Sequence, residues 1–369
     1  MTKEGRVLLD LEVPRVVSSK MGVFYNPYMR ENRDISLLLL TALDMDGLTV
    51  CDPMGASGVR SLRFLLELPK VNRLIYNDID PRAVEYFRGL LQRHKVDLDR
   101  VEIYNEDACL LLRRLKNCHY VDLDPYGSPV PFLESSILPL SRYGVLAVTA
   151  TDTSVLSGTY PKTCLRRYGS LPLLEAEFYH EVGTRILIKK VIEEGAKLDY
   201  ALTPLFSYSY RHYIRVFFLK DMGPKKADVL LERIGFLTYC PSCLYRKGIK
   251  PYPSVKGCPH CGSDLLFAGP LWLGELWKGE VLSKMWERRS MLELSENTHK
   301  IIMRIREEST LHTLGFYTIS SIGRAFRKGQ LPPIERFLEL FEAVRTHFTA
   351  EGFRTALPHE EVLRRISLL

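Results

Sequence analysis

The residues best suited to chemistry lie in the run Asp122-Leu123-Asp124-Pro125-Tyr126-Gly127. The lone pair of an exocyclic amine is delocalised into its ring, so the nitrogen is a weak nucleophile. A carboxylate and a neighbouring backbone carbonyl can accept its two N–H bonds and so aim the lone pair at an electrophile. An aromatic ring can stack on the base and hold it out of its helix. On that reading Asp124 orients the amine and takes its proton, the Pro125 carbonyl assists, and Tyr126 stacks. The same residues suit a β-turn in which Asp124 caps and Pro125-Tyr126 merely fill space. Only their place in a fold can separate the two.

A second constellation lies upstream. Asp52-Pro53-Met54-Gly55-Ala56-Ser57-Gly58-Val59-Arg60 follows a strand-like run. Glycines at a strand-to-helix turn let the backbone bend tightly and approach a ligand. The run is not Gly-x-Gly-x-x-Gly, and it lacks the Gly-Lys-Ser/Thr ending of a phosphate loop. An acidic residue, Asp52, ahead of Gly55 and Gly58 suits a cation, and S-adenosylmethionine carries a sulfonium and an ammonium but no phosphate. Asn77-Asp78-Ile79-Asp80 ends the next run. Asp78 is placed to accept from ribose hydroxyls, and Asp80, ahead of Pro81, to cap a helix. Asn105-Glu106-Asp107-Ala108 ends the third run, where Asp107 beside a small residue can hold an adenine amino group or cap the following helix.

Four of the eight cysteines form a third group, Cys240-Pro241-Ser242-Cys243 and Cys258-Pro259-His260-Cys261. Two such knuckles complete a closed tetrahedral thiolate site for one structural Zn2+, with a rubredoxin-like iron or an iron–sulfur cluster as competitor. His260 is expected to point away. The other four, Cys51, Cys109, Cys118 and Cys164, read as free thiols in a cytoplasmic protein.

These groups need a scaffold. From about Leu48 to Lys220, apolar runs (48–51, 73–76, 101–104, 120–123, 145–148) alternate with helical periodicity (59–68, 81–94, 109–115), which predicts a parallel sheet with helices on both faces. A long helical stretch, 173–198, leads to two further runs, 201–206 and 213–218, joined by a short turn. Asp221 to Lys226 reads as a linker. Helical patterns follow at 295–308, 319–326 and 334–344, with Arg324, Arg327 and Lys328 between the last two as part of a winged-helix-like module. The expected domains are 1–220, a methyltransferase sheet with an N-terminal extension, and 221–369, an α+β part carrying the four-cysteine module at 240–261.

Composition narrows the class. The chain has 369 residues, 46% hydrophobic and 26% charged, which is ordinary for a globular protein. No apolar run is long enough for a bilayer and the start lacks an apolar leader, so no membrane association is expected. A net charge of +7 suits a polyanionic partner. Basic and aromatic residues interleave at Lys162, Arg166, Arg167 and Tyr168, at Tyr208, Tyr210, Arg211, His212 and Tyr213, and at Tyr245, Arg246, Lys247, Lys250 and Tyr252. Such groups can track phosphates and stack unpaired bases, although charge runs are often only solvated faces.

Taken together, the motifs resemble one family. Asp124-Pro125-Tyr126 is similar to the Asp/Asn-Pro-Pro-Tyr/Phe signature of amino-group methyltransferases. Val23-Phe24-Tyr25-Asn26-Pro27, Asn32-Arg33-Asp34, Gly55 to Arg60, Asn77 to Pro81, Asp122 to Gly127 and the cysteine pairs look like the tRNA guanine-26 N2-dimethyltransferase family in its archaeal form. The resemblance implies a class I (Rossmann-like) methyltransferase fold and transfer of one or two methyl groups from S-adenosylmethionine to N2 of guanosine 26 in tRNA. It implies that Arg33, Arg60, Asp78, Asp107 and Ala108 bind the cofactor, with the two arginines on its carboxylate, and that Asp124 is catalytic. For either arginine an intramolecular ion pair is the competing reading. The expected protein is a cytoplasmic monomer. An adenine N6-methyltransferase and a non-catalytic zinc-ribbon RNA-binding protein are the alternatives.

Overall fold

Five apolar runs become parallel strands: β1 (Leu48–Asp52), β2 (Val71–Asn77), β3 (Val101–Tyr104), β4 (Cys118–Leu123) and β5 (Leu140–Ala150). This computed structural model describes residues 2–11, 22–250 and 257–369. Two further strands, β6 (Tyr200–Tyr210) and β7 (Tyr213–Met222), are joined by Arg211 and His212 alone, a link so short that they run antiparallel. The sheet order is β3-β2-β1-β4-β5-β7-β6. Strand order therefore reverses beside β1, between β1 and β4, where ligands bind in open α/β sheets.

The intervening helices follow their sequence signals. Helices α1 (Arg30–Ala42), α2 (Val59–Glu67), α3 (Pro81–Arg93) and α4 (Ala108–Arg114) flank the strands in chain order. Asp80 caps α3 by accepting the Arg82 N–H at 2.9 Å, with Pro81 at the first helical position. Helix α3 buries Ala83, Phe87, Leu90 and Leu91, one face at helical spacing. An N-terminal hairpin, Thr2–Glu4 with Val7–Leu9, precedes them and had no counterpart in the strand pattern.

The chain forms two compact units, each drawn from several segments. One holds Met1–Thr149, Phe217–Met222 and Lys278–Lys300; the other holds Ala150–Val216, Gly223–Trp277 and Ile301–Leu369. In the second unit, α5 (Tyr179–Ala196) lies against β6. The stretch expected to be a linker is nearly absent: β7 runs to Met222 and a helix starts at Pro224, so Gly223 alone lies between them, at φ 125°. Proline opens that helix because its missing N–H costs nothing at a first position.

A three-stranded antiparallel sheet follows, β8 (Ile234–Tyr239), β9 (Arg246–Ile249) and β10 (Leu266–Trp272), with β8 central. The C-terminal part runs α6 (Glu296–Glu308), β11 (Tyr317–Thr318), α7 (Ile319–Phe326), α8 (Ile334–Leu340), β12 (Val344–Arg345) and β13 (Gly352–Arg354), with β13 between β11 and β12. That is the element order of a winged helix. Its core is ionic as well as apolar. Arg354 bridges Glu181, at 2.6 Å, and Glu308, and all three are buried. No helix of the described residues is long and apolar enough to cross a membrane.

Candidate active site and metal centre

Asp124 lies immediately beyond β4, at the edge where parallel strands β1, β2 and β3 also end. Its Oδ2 pairs with Arg60 Nη2. Arg60 Nη1 donates to Asn32 Oδ1 at 2.8 Å, Ser36 Oγ at 3.1 Å and Asp122 Oδ2 at 3.2 Å. The other Asp124 oxygen makes no hydrogen bond among the described residues, and the side chain stays 17% exposed. Pro125 is buried, whereas the Tyr126 ring is 81% exposed. An accessible acceptor therefore sits beside a largely exposed aromatic ring.

Behind Asp124 the charge is unbalanced. Asp52 and Asp122 are buried, and Asp52 accepts from Ser61 Oγ at 2.7 Å. Burial, joined by the Asp122 carboxylate, pushes the Asp52 carboxyl up to about 7 against the pull of Arg60. Three carboxylates thus share one guanidinium. A site with surplus negative charge behind its mouth favours a cation, as a sulfonium with an ammonium would be.

The glycine loop is shaped by its neighbours. Gly58 sits at φ 71° as the N-cap of α2, and a Cβ there would meet the Phe87 ring at 2.0 Å. A Cβ on Gly55 would meet Tyr76 at 2.3 Å. Tyr76 and Phe87 stack on each other with centroids 4.0 Å apart. Gly58→Ala therefore adds both overpacking and a left-handed alanine. It is expected to destabilise the protein by about 2 kcal/mol, which a thermal scan would read as a fall in Tm of roughly 5 °C.

The strand-end carboxylates hold the loops as well as facing the edge. Asp78 Oδ2 accepts the Ala56 N–H at 2.8 Å, and its Oδ1 accepts the Asp80 N–H at 2.9 Å. Each oxygen keeps a lone pair for a further donor. Asp107 caps α4 through the Leu110 N–H at 3.0 Å and stays exposed, with Ala108 buried beside it. Asn77, fully buried, ties three loops together: its Nδ2 donates to Pro53 O and Glu106 O, and its Oδ1 accepts the Glu106 N–H. Asn77 and Asn32 stood within motifs read from the sequence but were given no role there, and Ser36 was passed over.

Arg33 lies on α1, its side chain 5% exposed. It donates to both Glu4 oxygens at 2.6 Å and to Asn26 O at 3.1 Å. Arg63 joins the cluster through Glu4, Asp34 and Glu67. Arg33 and Arg63 hold the Glu4 carboxyl at about 2, against the opposing effect of burial. For Arg33 to meet a cofactor carboxylate, it must exchange part of that bidentate pair.

The four cysteines converge. Cys240 Sγ lies 3.5 Å from Cys261 Sγ and Cys243 Sγ 3.5 Å from Cys258 Sγ, with all four sulfurs within 4.8 Å of one another. A tetrahedral zinc with bonds of about 2.3 Å separates its sulfurs by roughly 3.8 Å, so the donor set fits. Each knuckle closes by matching backbone bonds, Leu244 N–H to Cys240 O at 2.8 Å and Gly262 N–H to Cys258 O at 2.9 Å, with Leu244 at φ 65° and Gly262 at φ 75°. The His260 ring faces Tyr245 and His359, each with its centroid at 4.7 Å from that of His260.

Several aromatic residues expected on an RNA surface are not there. Tyr168, the last residue of the helix Pro161–Tyr168, is fully buried, and so are Tyr208 and Tyr213, because β6 and β7 carry side chains packed on both faces. Arg246 is inside too, bound to Glu177 at 2.9 Å and lying 3.7 Å from the Tyr317 ring centroid. Lys162, Arg166, Arg167, Arg211, His212, Lys247 and Lys250 remain exposed, while Tyr252 lies outside the described residues.

Comparison with known proteins follows the same lines. The family model for N2,N2-dimethylguanosine tRNA methyltransferase matches residues 5–367. A protein of Aquifex aeolicus named tRNA (guanine(26)-N(2)/guanine(27)-N(2))-dimethyltransferase is 45% identical over 97% of this chain and 93% of its own length. One of Methanobrevibacter smithii, named tRNA (guanine(26)-N(2))-dimethyltransferase, is 37% identical over 100% of this chain and 97% of its own. The structure of Trm1 from Pyrococcus horikoshii with S-adenosyl-L-methionine superposes with a TM-score of 0.86 at 30% identity, covering 99% of this chain and 98% of that one. With its strand-end carboxylates, its Asp124-Pro125-Tyr126 corner and its four-cysteine cluster on one continuous match, the chain belongs to the N2,N2-dimethylguanosine tRNA methyltransferase family.

Proposed function

We propose that this protein methylates the exocyclic N2 amine of guanosine 26 in tRNA, once or twice, with S-adenosylmethionine as donor. The observation that carries the reading is Asp124, with one oxygen unpaired among the described residues, beside the exposed Tyr126 ring at the carboxyl edge of the sheet. The cofactor supplies an electrophilic methyl group on its sulfonium. Tyr126 stacks on the extruded guanine. Asp124 and the Pro125 carbonyl accept the two N–H bonds, which turns the nitrogen lone pair towards the sheet edge, and Asp124 takes the proton. Arg60 anchors Asp124 from behind, held in turn by Asn32, Ser36 and Asp122.

The cofactor is assigned to Asp52, Gly55, Gly58, Arg60, Asp78, Asp107 and Ala108, with Arg33 reaching its carboxylate by releasing part of Glu4. The four cysteines hold one structural Zn2+. Residues 1–220 are assigned the chemistry and 221–369 the grip on tRNA, in a monomer acting in the cytoplasm. The direct test is incubation of unmodified tRNA transcripts with labelled S-adenosylmethionine, followed by mass spectrometry of the nucleosides. N2-methyl- or N2,N2-dimethylguanosine, lost when guanosine 26 is replaced, is the expected product; methylated adenosine instead would overturn the choice of base. Because one relative is named for guanine 27 as well, methyl groups are counted at both positions.

The Asp52 carboxyl gives a pH signature. Its value in the fold lies above the ordinary carboxylate range, so ionising it costs stability as pH rises through about 7. A bound cation favours the ionised form and recovers that cost. Affinity for S-adenosylmethionine is therefore expected to rise roughly tenfold between pH 5.5 and pH 7, then level off. Calorimetric titration across that range checks it, and Asp52→Asn should flatten the profile.

A further inference from the structure

A cavity of about 390 Å³ lies within the second unit, and none of its lining residues is among those assigned to the cofactor, the chemistry or the metal. Its lining comes from α5, the two ends of the β8–β9 hairpin, the segment after β10 and residues 311–314. Arg185 forms part of that lining although the residue is only 4% exposed. Its Nε donates to Glu181 at 2.8 Å, and its Nη1 donates to Trp272 O and Gly274 O. Among the described residues, Nη2 has no hydrogen-bond partner. Thr313 Oγ1, also in the lining, is buried and has no partner among the described residues either. Buried polar groups are almost always paired, so the unpaired Thr313 hydroxyl, in one lining with an Arg185 Nη2 that still has N–H bonds to give, points to a ligand that pairs them.

The rest of the lining says which kind. Trp277 and four leucines give an apolar wall, with the Trp277 Nε1 spent on Ser207 O at 2.7 Å. Arg233, Lys250 and His312 stand exposed at the rim. Glu232 and Glu275 also line the cavity, which disfavours a ligand that is anionic all over and suits one with N–H donors on a ring. Flat, with ring donors and acceptors and one anionic group, describes a nucleotide. Small-molecule pockets run from about 300 to 1,000 Å³, and this one, at the small end, matches a single nucleotide.

We infer that this cavity binds one 5′-phosphorylated nucleotide, its base on the Trp277 wall with acceptors towards Arg185 and Thr313, its phosphate towards Arg233 and Lys250. The inference rests on the tRNA reading above for its source: an unpaired nucleotide of the substrate, bound apart from the guanosine that is methylated. A free mononucleotide shares the chemistry, and the test separates the two.

Full-length protein is compared with Thr313→Val, which keeps shape but removes the hydroxyl, and with Arg233→Glu. Arg336→Glu serves as a charge reversal elsewhere on the same unit, since Arg336 is exposed and does not line the cavity. The KM for tRNA is expected to rise about tenfold in Arg233→Glu and about threefold in Thr313→Val, with kcat and S-adenosylmethionine affinity unchanged. Adenosine and guanosine 5′-monophosphate should compete with tRNA for the wild type and not for either variant. Nucleotide binding that the variants lose, with KM for tRNA unmoved, would assign the cavity to a free nucleotide and overturn the RNA source. An equal rise in Arg336→Glu, or KM within twofold of wild type together with no nucleotide binding, would overturn the site. A wild type that methylates no tRNA would strike the proposed function instead, and direct calorimetry with the monophosphates would still decide the cavity.

Discussion

Replacing Asp124 by asparagine is expected to lower kcat for tRNA methylation by about 10³-fold, while S-adenosylmethionine affinity stays within roughly threefold of wild type. Asparagine keeps the shape and one acceptor oxygen but loses the charge that receives the proton. Folding should survive, because Arg60 retains Asn32, Ser36 and Asp122, and Asp52 loses a repulsive neighbour. Single-turnover methylation of a transcript, read by nucleoside mass spectrometry, gives the rate; calorimetry gives the cofactor affinity. A rate within tenfold of wild type would remove Asp124 from the chemistry. Tyr126 offers an internal comparison, since its ring is the exposed partner of the same corner. Tyr126→Phe should be nearly silent and Tyr126→Ala should cost about tenfold to a hundredfold.

Much of this corner was legible because strand ends in a parallel sheet are marked locally. An apolar run, a turn residue and a carboxylate fall within a few positions, as at Cys51-Asp52, Asn77-Asp78 and Leu123-Asp124, and right-handed crossovers bring all of those ends to one edge. Asp80 before Pro81 was equally plain as a cap. What stayed hidden depended on distant partners. Nothing near Arg60 announces that its guanidinium reaches Asn32, 28 positions away, and Asp124, 64 away. Nothing near Arg33 announces Glu4 in a two-strand hairpin too short to show a period. The buried tyrosines misled for a related reason. Tyr208 and Tyr213 flank a basic turn, but alternation with polar residues says little in a strand covered on both faces.

Removing the metal is expected to undo the second unit's sheet before it touches the cofactor site. The cysteines lie in the β8–β9 turn and in the segment that leads to β10, and Cys240, Cys243 and Cys258 form a small apolar cluster with Leu265. Four thiolates brought to within 4.8 Å repel one another unless a cation binds them or protons neutralise them. Structural zinc in comparably small modules contributes about 10–16 kcal/mol of apparent binding energy, which becomes folding energy when no other core holds the site. Purified protein should therefore contain one zinc per chain by elemental analysis, and Cys258→Ser should contain less than a tenth of that. Exhaustive chelation or Cys258→Ser should add an unfolding transition at lower temperature, and tRNA methylation should fall about a hundredfold through KM. Binding of S-adenosylmethionine, whose proposed ligands all belong to the first unit, should persist. Iron in place of zinc would give visible absorbance bands and correct the metal while keeping the site. Full tRNA methylation by a protein shown to be metal-free would overturn the structural role, because four converging thiols would then be held by the surrounding β8–β10 sheet alone.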